Sequence, residues 1–285
     1  MKVLAFLCIF SGSQILLSAP KFWLTPKSQR FMPENKLSEL DPMVPVNLSE
    51  AEFENVLTQV EEYYSPLVKR LYKANLFVTR DWEDSTVNAY ATRSGNNWEV
   101  HMYGGLARRP EITQDGFAMV ACHEVGHHLG GFPYVQSWAA NEGQSDYFSS
   151  ISCARHLWKA DSAKNAAAEK NIPDYPKKLC DGAWKLQEER NLCYRIALAG
   201  KSLADLLSGS SAKFETPSKI IVKRTNNAHP AGQCRLDTYL AGALCKVNFN
   251  QELIPKTEKE SSKVSCLQSL KQVGFRPVCW FKAKI

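Results

Sequence analysis

The chain has 285 residues, 44% of them hydrophobic and 11% aromatic, which is enough to bury a core and excludes a disordered or fibrous protein. Lys and Arg number 35 against 29 Asp and Glu, a formal charge of +6. That excess is carried by scattered pairs such as Lys69-Arg70 and Lys177-Lys178 without any basic run, and it argues against a nucleic-acid surface.

Read in chain order, the first segment resembles a secretory leader. Met1-Lys2 precede the apolar stretch Val3 to Phe10, then Ser11-Gly12-Ser13, a second short run Ile15 to Leu17, and Ala19. The expected signal peptide spans 1–19, with cleavage after residue 13 or 19. No later run approaches the roughly 18 apolar residues that cross a bilayer, so no stable membrane insertion is expected once the leader is removed. The protein is read as exported, either periplasmic or secreted. Loss of Cys8 with the leader leaves Cys122, Cys153, Cys180, Cys193, Cys234, Cys245, Cys266 and Cys279. An even count with no Cys-x-x-Cys pair points to disulfides, whose pairing the sequence does not determine. Cys234 and Cys245 fall in one predicted helix, about 16 Å apart at 1.5 Å per residue, and cannot bridge each other.

Residues 20–48, rich in Pro, Lys and Ser, read as an extended lead-in. The domain is expected over 49–247. Ser49 with Glu52 forms a capping-box signature, and Phe53, Val56, Leu57, Val60, Tyr64, Leu67, Val68 and Leu71 recur at helical spacing, with Pro66 as a kink point. Strands are predicted at Leu76–Thr79, Val87–Thr92 and Trp98–Tyr103, joined as a small sheet of hairpins through Ser94-Gly95-Asn96. Helices follow at Thr113–Leu129, stopped by Gly130-Gly131 and Pro133, and at Ser137–Trp158. Further helices are expected at Ser162–Lys170, Asp181–Leu207, Pro217–Arg224 and Gln233–Val247. A tail, 248–285, carries the last two cysteines.

The chemistry lies in His123-Glu124-Val125-Gly126-His127. Two histidines at i and i+4 sit one turn apart on one helix face, so both can reach one Zn²⁺. Glu124, at the edge of that face, is placed to act as general base on a water molecule. A third ligand is required. A histidine six residues after His127 is ruled out because Pro133 stands there. Glu142 in Asn141-Glu142-Gly143-Gln144-Ser145-Asp146 is assigned instead. Asp146, one turn further on, can accept the free ring N–H of His123, although a rival assignment makes Asp146 the ligand.

The Asn-Glu-x-x-Ser-Asp string is similar to that of thermolysin-like gluzincins. Its surroundings resemble the HtpX and CAAX-prenyl-protease type of zinc peptidase, through Asn88-Ala89-Tyr90-Ala91, Gly104-Gly105-Leu106, and His229-Pro230 followed by Arg235. The resemblance covers about residues 50–245 and departs in lacking membrane helices, in its short link to Glu142 and in its cysteines. It implies an α+β gluzincin-type fold, a small and mostly antiparallel sheet packed on the metal helix with a helical half after it. It also implies hydrolysis of a polypeptide substrate with one catalytic Zn²⁺. By the same resemblance, the strand bearing Trp98 and Val100 is an edge that takes an extended substrate as an added strand. His229 is then an oxyanion donor, with a helix-capping role as the alternative. Arg235 contacts substrate or pairs with a carboxylate such as Asp237 or Glu142. His128 is expected off the ligand face, exposed or behind the ligands. His101 and His156 are read as structural, and the tryptophans as packing residues. The competing class is a zinc-stabilised peptide-binding protein without catalysis, in which Glu124 would be dispensable.

Overall fold

The computed structural model describes residues 30–31, 47–209 and 212–283. The expected leader with its two cleavage points, and most of the lead-in, lie outside the described residues. Strand β1 is Arg30–Phe31. Helix α1, Glu50–Tyr72, begins where the sequence places it, because the Ser49 hydroxyl accepts from the Glu52 amide at 3.3 Å while Glu52 Oε2 accepts from the Ser49 amide at 2.8 Å. Its apolar stripe, Phe53, Val56, Leu57, Val60, Tyr64 and Val68, is buried. Such a stripe recurring every three to four residues holds a helix on a core.

Strands β2 (Asn75–Asp81), β3 (Ala89–Ser94) and β4 (Asn97–Tyr103) follow. The sheet order is β1-β3-β4-β2. β3 and β4 form the expected hairpin, from Ser94↔Asn97 to Ala89↔Met102, and β1 lies antiparallel on β3 at Thr92 and Ala91. The departure is β2. It runs parallel to β4 along its whole length, from Asn75↔Asn97 to Asp81↔Tyr103, so the sheet is mixed and β2–β3 is no hairpin. α1 explains this, because the far edge of β2 is served by helix side chains: the Val78 amide donates to Glu61 Oε1 at 3.2 Å and Ser65 Oγ donates to the Leu76 carbonyl at 2.8 Å. β4 therefore fills the interior position. The expectation that Trp98 and Val100 lie on an edge strand is corrected, since both edges of β4 are already paired.

The helical half comprises α2 (Gly104–Ala107), α3 (Gln114–Leu129), α4 (Glu142–Phe148), a π-helical turn at Ser149–Cys153, α5 (Ala154–Trp158) and α6 (Ser162–Ala167). It continues with α7 (Asp174–Ala183), α8 (Gln187–Ser208), α9 (Gly232–Leu244) and α10 (Glu258–Ser261). Three predicted helices change. The helix expected from Ser137 starts at Glu142, because residues 134–140 fold back on themselves through Val135 N–H to Ala139 O at 2.9 Å and Asn141 N–H to Pro133 O at 2.8 Å. The helix expected from Asp181 is two helices, parted at Trp184, whose indole N–H donates to the Ala243 carbonyl at 3.0 Å. Residues 217–224 are not helical; Val222 N–H instead donates to Val278 O at 3.0 Å.

Helix α3 is the centre of the molecule. Every residue from Gly116 to Leu129 is buried, under α1, α4, α8 and the sheet. The disulfides are Cys122–Cys153, Cys180–Cys193, Cys234–Cys279 and Cys245–Cys266, which agrees with the exclusion of a Cys234–Cys245 bridge. Among the described residues no helix is long and apolar enough to cross a membrane.

Candidate metal centre

The centre is built where α3 and α4 touch backbone to backbone. At Gly126 an added Cβ would stand 2.9 Å from Ser145 Cα and 3.0 Å from Ser145 O, closer than side-chain carbons approach, so only glycine lets α4 lie this near. α4 begins at Asn141, whose side-chain oxygen accepts from the Gln144 amide at 2.9 Å. This start directs Glu142 back toward α3.

His123, His127 and Glu142 are brought together as a buried group, with their ligating atoms within 4.8 Å of one another. His123 Nε2 lies 3.3 Å from Glu142 Oε2, and His127 Nε2 lies 3.6 Å from Glu142 Oε1. The opposite ring nitrogens decide the tautomers. His123 Nδ1 donates to Asp146 Oδ1 at 2.8 Å and His127 Nδ1 to the Ala140 carbonyl at 2.8 Å, acceptors that offer no proton. Each neutral imidazole then turns its Nε2 lone pair toward a carboxylate. Glu142 Oε1 and Oε2 are both buried without a well-formed hydrogen bond. Lone pairs gathered this closely could hold a cation, which would also give the unpartnered buried oxygens a partner.

Electrostatics point the same way. With both imidazoles neutral, Glu142 and Asp146 face the single guanidinium of Arg235, leaving net negative charge in a buried site. Burial opposes ionisation of Glu142, but the His123 and His229 contacts outweigh it and hold the carboxyl well below its usual range. Burial also opposes a charge on His123, yet Asp146 and Glu142 reverse the sign and push it to about 10, whereas burial holds His127 down at about 4. Without a cation, one proton on His123 takes its place; metal binding would release it. Glu124 is 4% exposed with Oε2 unpartnered, 4.0 Å from His127 Nε2. Burial raises it to about 7, with the Glu142 charge adding to the effect.

No known family model matches the chain, and no curated protein or solved structure matches it either. The remaining assignments rest on geometry. Asp146 sits behind His123, away from the Nε2 atoms, and is the hub of a polar cluster. Its Oδ1 accepts from Arg235 Nη2 at 2.6 Å and Tyr239 Oη at 2.8 Å as well as from His123. Arg235, 5% exposed, thus pairs with Asp146 and with neither Asp237 nor Glu142, and its burial leaves no surface for substrate. Tyr239 escaped the sequence reading, although its i+4 spacing from Arg235 on α9 was a usable signal.

His229 does reach the centre, with Nε2 3.0 Å from Glu142 Oε2 and its side chain 31% exposed. It is held there through Asn141, whose Nδ2 donates to Asn226 O and Asn227 Oδ1, each at 3.0 Å. Trp98 and Val100 face the core. Trp98 stacks on His128 at 5.3 Å and on Tyr72 at 5.5 Å, with Arg93 over its ring at 3.5 Å. His128, expected off the ligand face and either exposed or behind the ligands, is buried: it meets Arg93 Nε at 3.1 Å and the Glu99 carbonyl at 3.0 Å. Cys122, beside His123, is consumed in a disulfide.

Proposed function

We propose that the chain is a zinc-dependent endopeptidase of gluzincin type, exported to an oxidising compartment. The observation that carries this is Glu124, a buried carboxylate with an unpartnered oxygen standing 4.0 Å from a ligand-type imidazole nitrogen. A site built only to hold a metal has no use for a second, uncoordinated carboxylate there. Two imidazoles and one carboxylate are a donor set that suits Zn²⁺ and leaves a position open. His123, His127 and Glu142 would hold the zinc ion, which would supply Lewis-acid polarisation. Glu124 takes the proton of the attacking water and hands it to the departing amine. His229, the member of the group with solvent access, is assigned to the oxyanion that develops on the scissile carbonyl. Asp146, steadied by Arg235 and Tyr239, keeps His123 in its ligating tautomer. Export is supported by the four disulfides.

The test is Glu124→Gln. Purified protein should carry one zinc per chain by elemental analysis, and the variant should keep it while hydrolysis of a casein-type substrate falls by about 10²- to 10⁴-fold, the usual weight of a general base. Activity unchanged by the substitution would overturn the catalytic role. Stoichiometric zinc with no hydrolysis in the parent chain would favour a peptide-binding protein.

A further inference from the structure

Away from this centre, one buried guanidinium has no carboxylate within 4.0 Å among the described residues, and Glu258 acts on it only from further off. Arg276 is 3% exposed. Its Nη1 donates to Ser261 Oγ at 2.9 Å, Gln144 Oε1 at 3.2 Å and Phe132 O at 3.4 Å, and its Nε is buried with no acceptor. The other deeply buried arginines are better served. Arg195 pairs with Asp115 and Asp161, and Arg235 with Asp146, while Arg155 caps the end of α9 through the carbonyls of Gly242, Ala243 and Cys245. Among the described residues no carboxylate lies within 4.0 Å of Arg276; Gln144, Ser261 and a carbonyl are all neutral. A buried charge without a close partner is costly to keep in the folded state.

The same guanidinium lines a cleft of about 310 Å³. It lies over the Phe281 ring at 3.6 Å, a stacking contact that fixes its plane. Gln268, Ser269 and the exposed Lys259 place further donor groups around the cleft, and Leu267 an apolar wall. Glu258 also lines it and opposes an anion, with Lys259 next to it offsetting that charge. Burial draws Arg276 down to about 10, with Tyr147 and Glu258 acting in the opposite direction.

We propose that this cleft binds a small oxyanion, a carboxylate or phosphate group, against the Arg276 guanidinium. A planar fork facing two oxygens is the arrangement that arginine offers such groups. The cleft adjoins the metal centre mechanically. Gln144, which accepts from Arg276, donates its amide to the Gly130 carbonyl at 3.0 Å, and the Trp280 ring packs against Gly143. Occupancy of the cleft stiffens the contact between α4 and the end of α3.

The experiment uses the full, disulfide-bonded chain with inorganic phosphate and acetate as separate probes, titrated calorimetrically at constant ionic strength with chloride as the reference salt. One saturable site is expected for at least one probe, and which of them binds distinguishes a tetrahedral from a planar ligand. Arg276→Met should weaken binding by about tenfold or more, the weight of a charged hydrogen bond. Lys259→Gln, an exposed change that leaves folding intact, should weaken it severalfold and serves if the Arg276 variant does not fold. No binding beyond that of chloride, or affinity unchanged in the variants that fold, overturns the proposal.

Discussion

Replacing Asp146 by Asn keeps the shape of the hub and removes its charge. Three donors converge on Oδ1, from His123 at 2.8 Å, Arg235 at 2.6 Å and Tyr239 at 2.8 Å, and an amide oxygen can still receive them. What disappears is the countercharge of a guanidinium that is itself buried. In zinc-free protein this should cost about 3 kcal/mol, the lower end of the range for one partner removed from a buried pair, because the hydrogen bonds survive. Arg235→Met should cost somewhat less, about 2 kcal/mol, since His123 remains to share its proton with Asp146. The double variant should lose clearly less than the sum, with a coupling of at least about 1 kcal/mol. Chelator competition should show zinc binding weakened by about 10- to 100-fold in Asp146→Asn, the weight of a lost orienting contact. Denaturant titrations of the parent, the two single variants and the double variant give the stabilities. Additivity within about 0.5 kcal/mol would refute the claim that Asp146 and Arg235 act as one unit.

Two other perturbations address the frame around the centre. Gly126→Ala places a methyl 2.9 Å from Ser145 Cα and should cost about 1–3 kcal/mol by overpacking, with weaker zinc binding as α4 shifts. Gly182→Ala in α7, where an added Cβ meets nothing within 4 Å, should instead gain about 0.5–1 kcal/mol from helix propensity. Equal effects at both positions, read by thermal melting and chelator competition, would remove the close-approach explanation. Replacing Cys122 and Cys153 together by Ala opens a link across 31 residues and should cost about 4 kcal/mol in the loop-closure treatment, against about 3 for Cys180 and Cys193, 13 apart. Only the first pair should loosen metal binding; a loss in both would show a general effect of stability.

What the sequence made legible was local. His123 to Asp146 lie within two neighbouring helices, so spacing alone named the three metal-facing residues and the partner behind His123, and the capping pair Ser49 and Glu52 marked the start of α1. What it hid depends on distant neighbours. His128 reads as off-face on an isolated helix, but α3 has no solvent face, so the ring is buried against Trp98 and Trp138. The parallel ladder of β2 and β4 follows from α1 occupying the other edge of β2, a choice that alternation along one strand cannot express. Arg235 reads from the sequence as a substrate contact or the partner of a carboxylate; the structure gives a carboxylate, Asp146, although not one of the two named. The tract at 217–224 is centred on the β-branched Ile220, Ile221 and Val222, and the Val222 amide donates to Val278 O, so local preference and tertiary contact agree against the expected helix.

The distribution of the crosslinks bears on what the fold is built to hold. Cys122 immediately precedes His123 and ties α3 to the π-helical turn that follows Asp146. Cys234 and Cys245 anchor the two ends of α9, the helix that presents Arg235 and Tyr239 to Asp146. Cys279 also fixes the tail whose neighbouring Trp280 packs on Gly143, next to Glu142. Three of the four bridges therefore immobilise elements that position the metal-facing group, and Cys180–Cys193 alone joins helices, α7 and α8, that contribute none of its residues. Stability alone would be served by links of equal loop length placed anywhere. Their concentration around one buried cluster of two imidazoles and a carboxylate means that the disulfides fix the geometry of the centre as well as the fold, and that reduction should loosen the centre before the sheet and α1, which carry no cysteine.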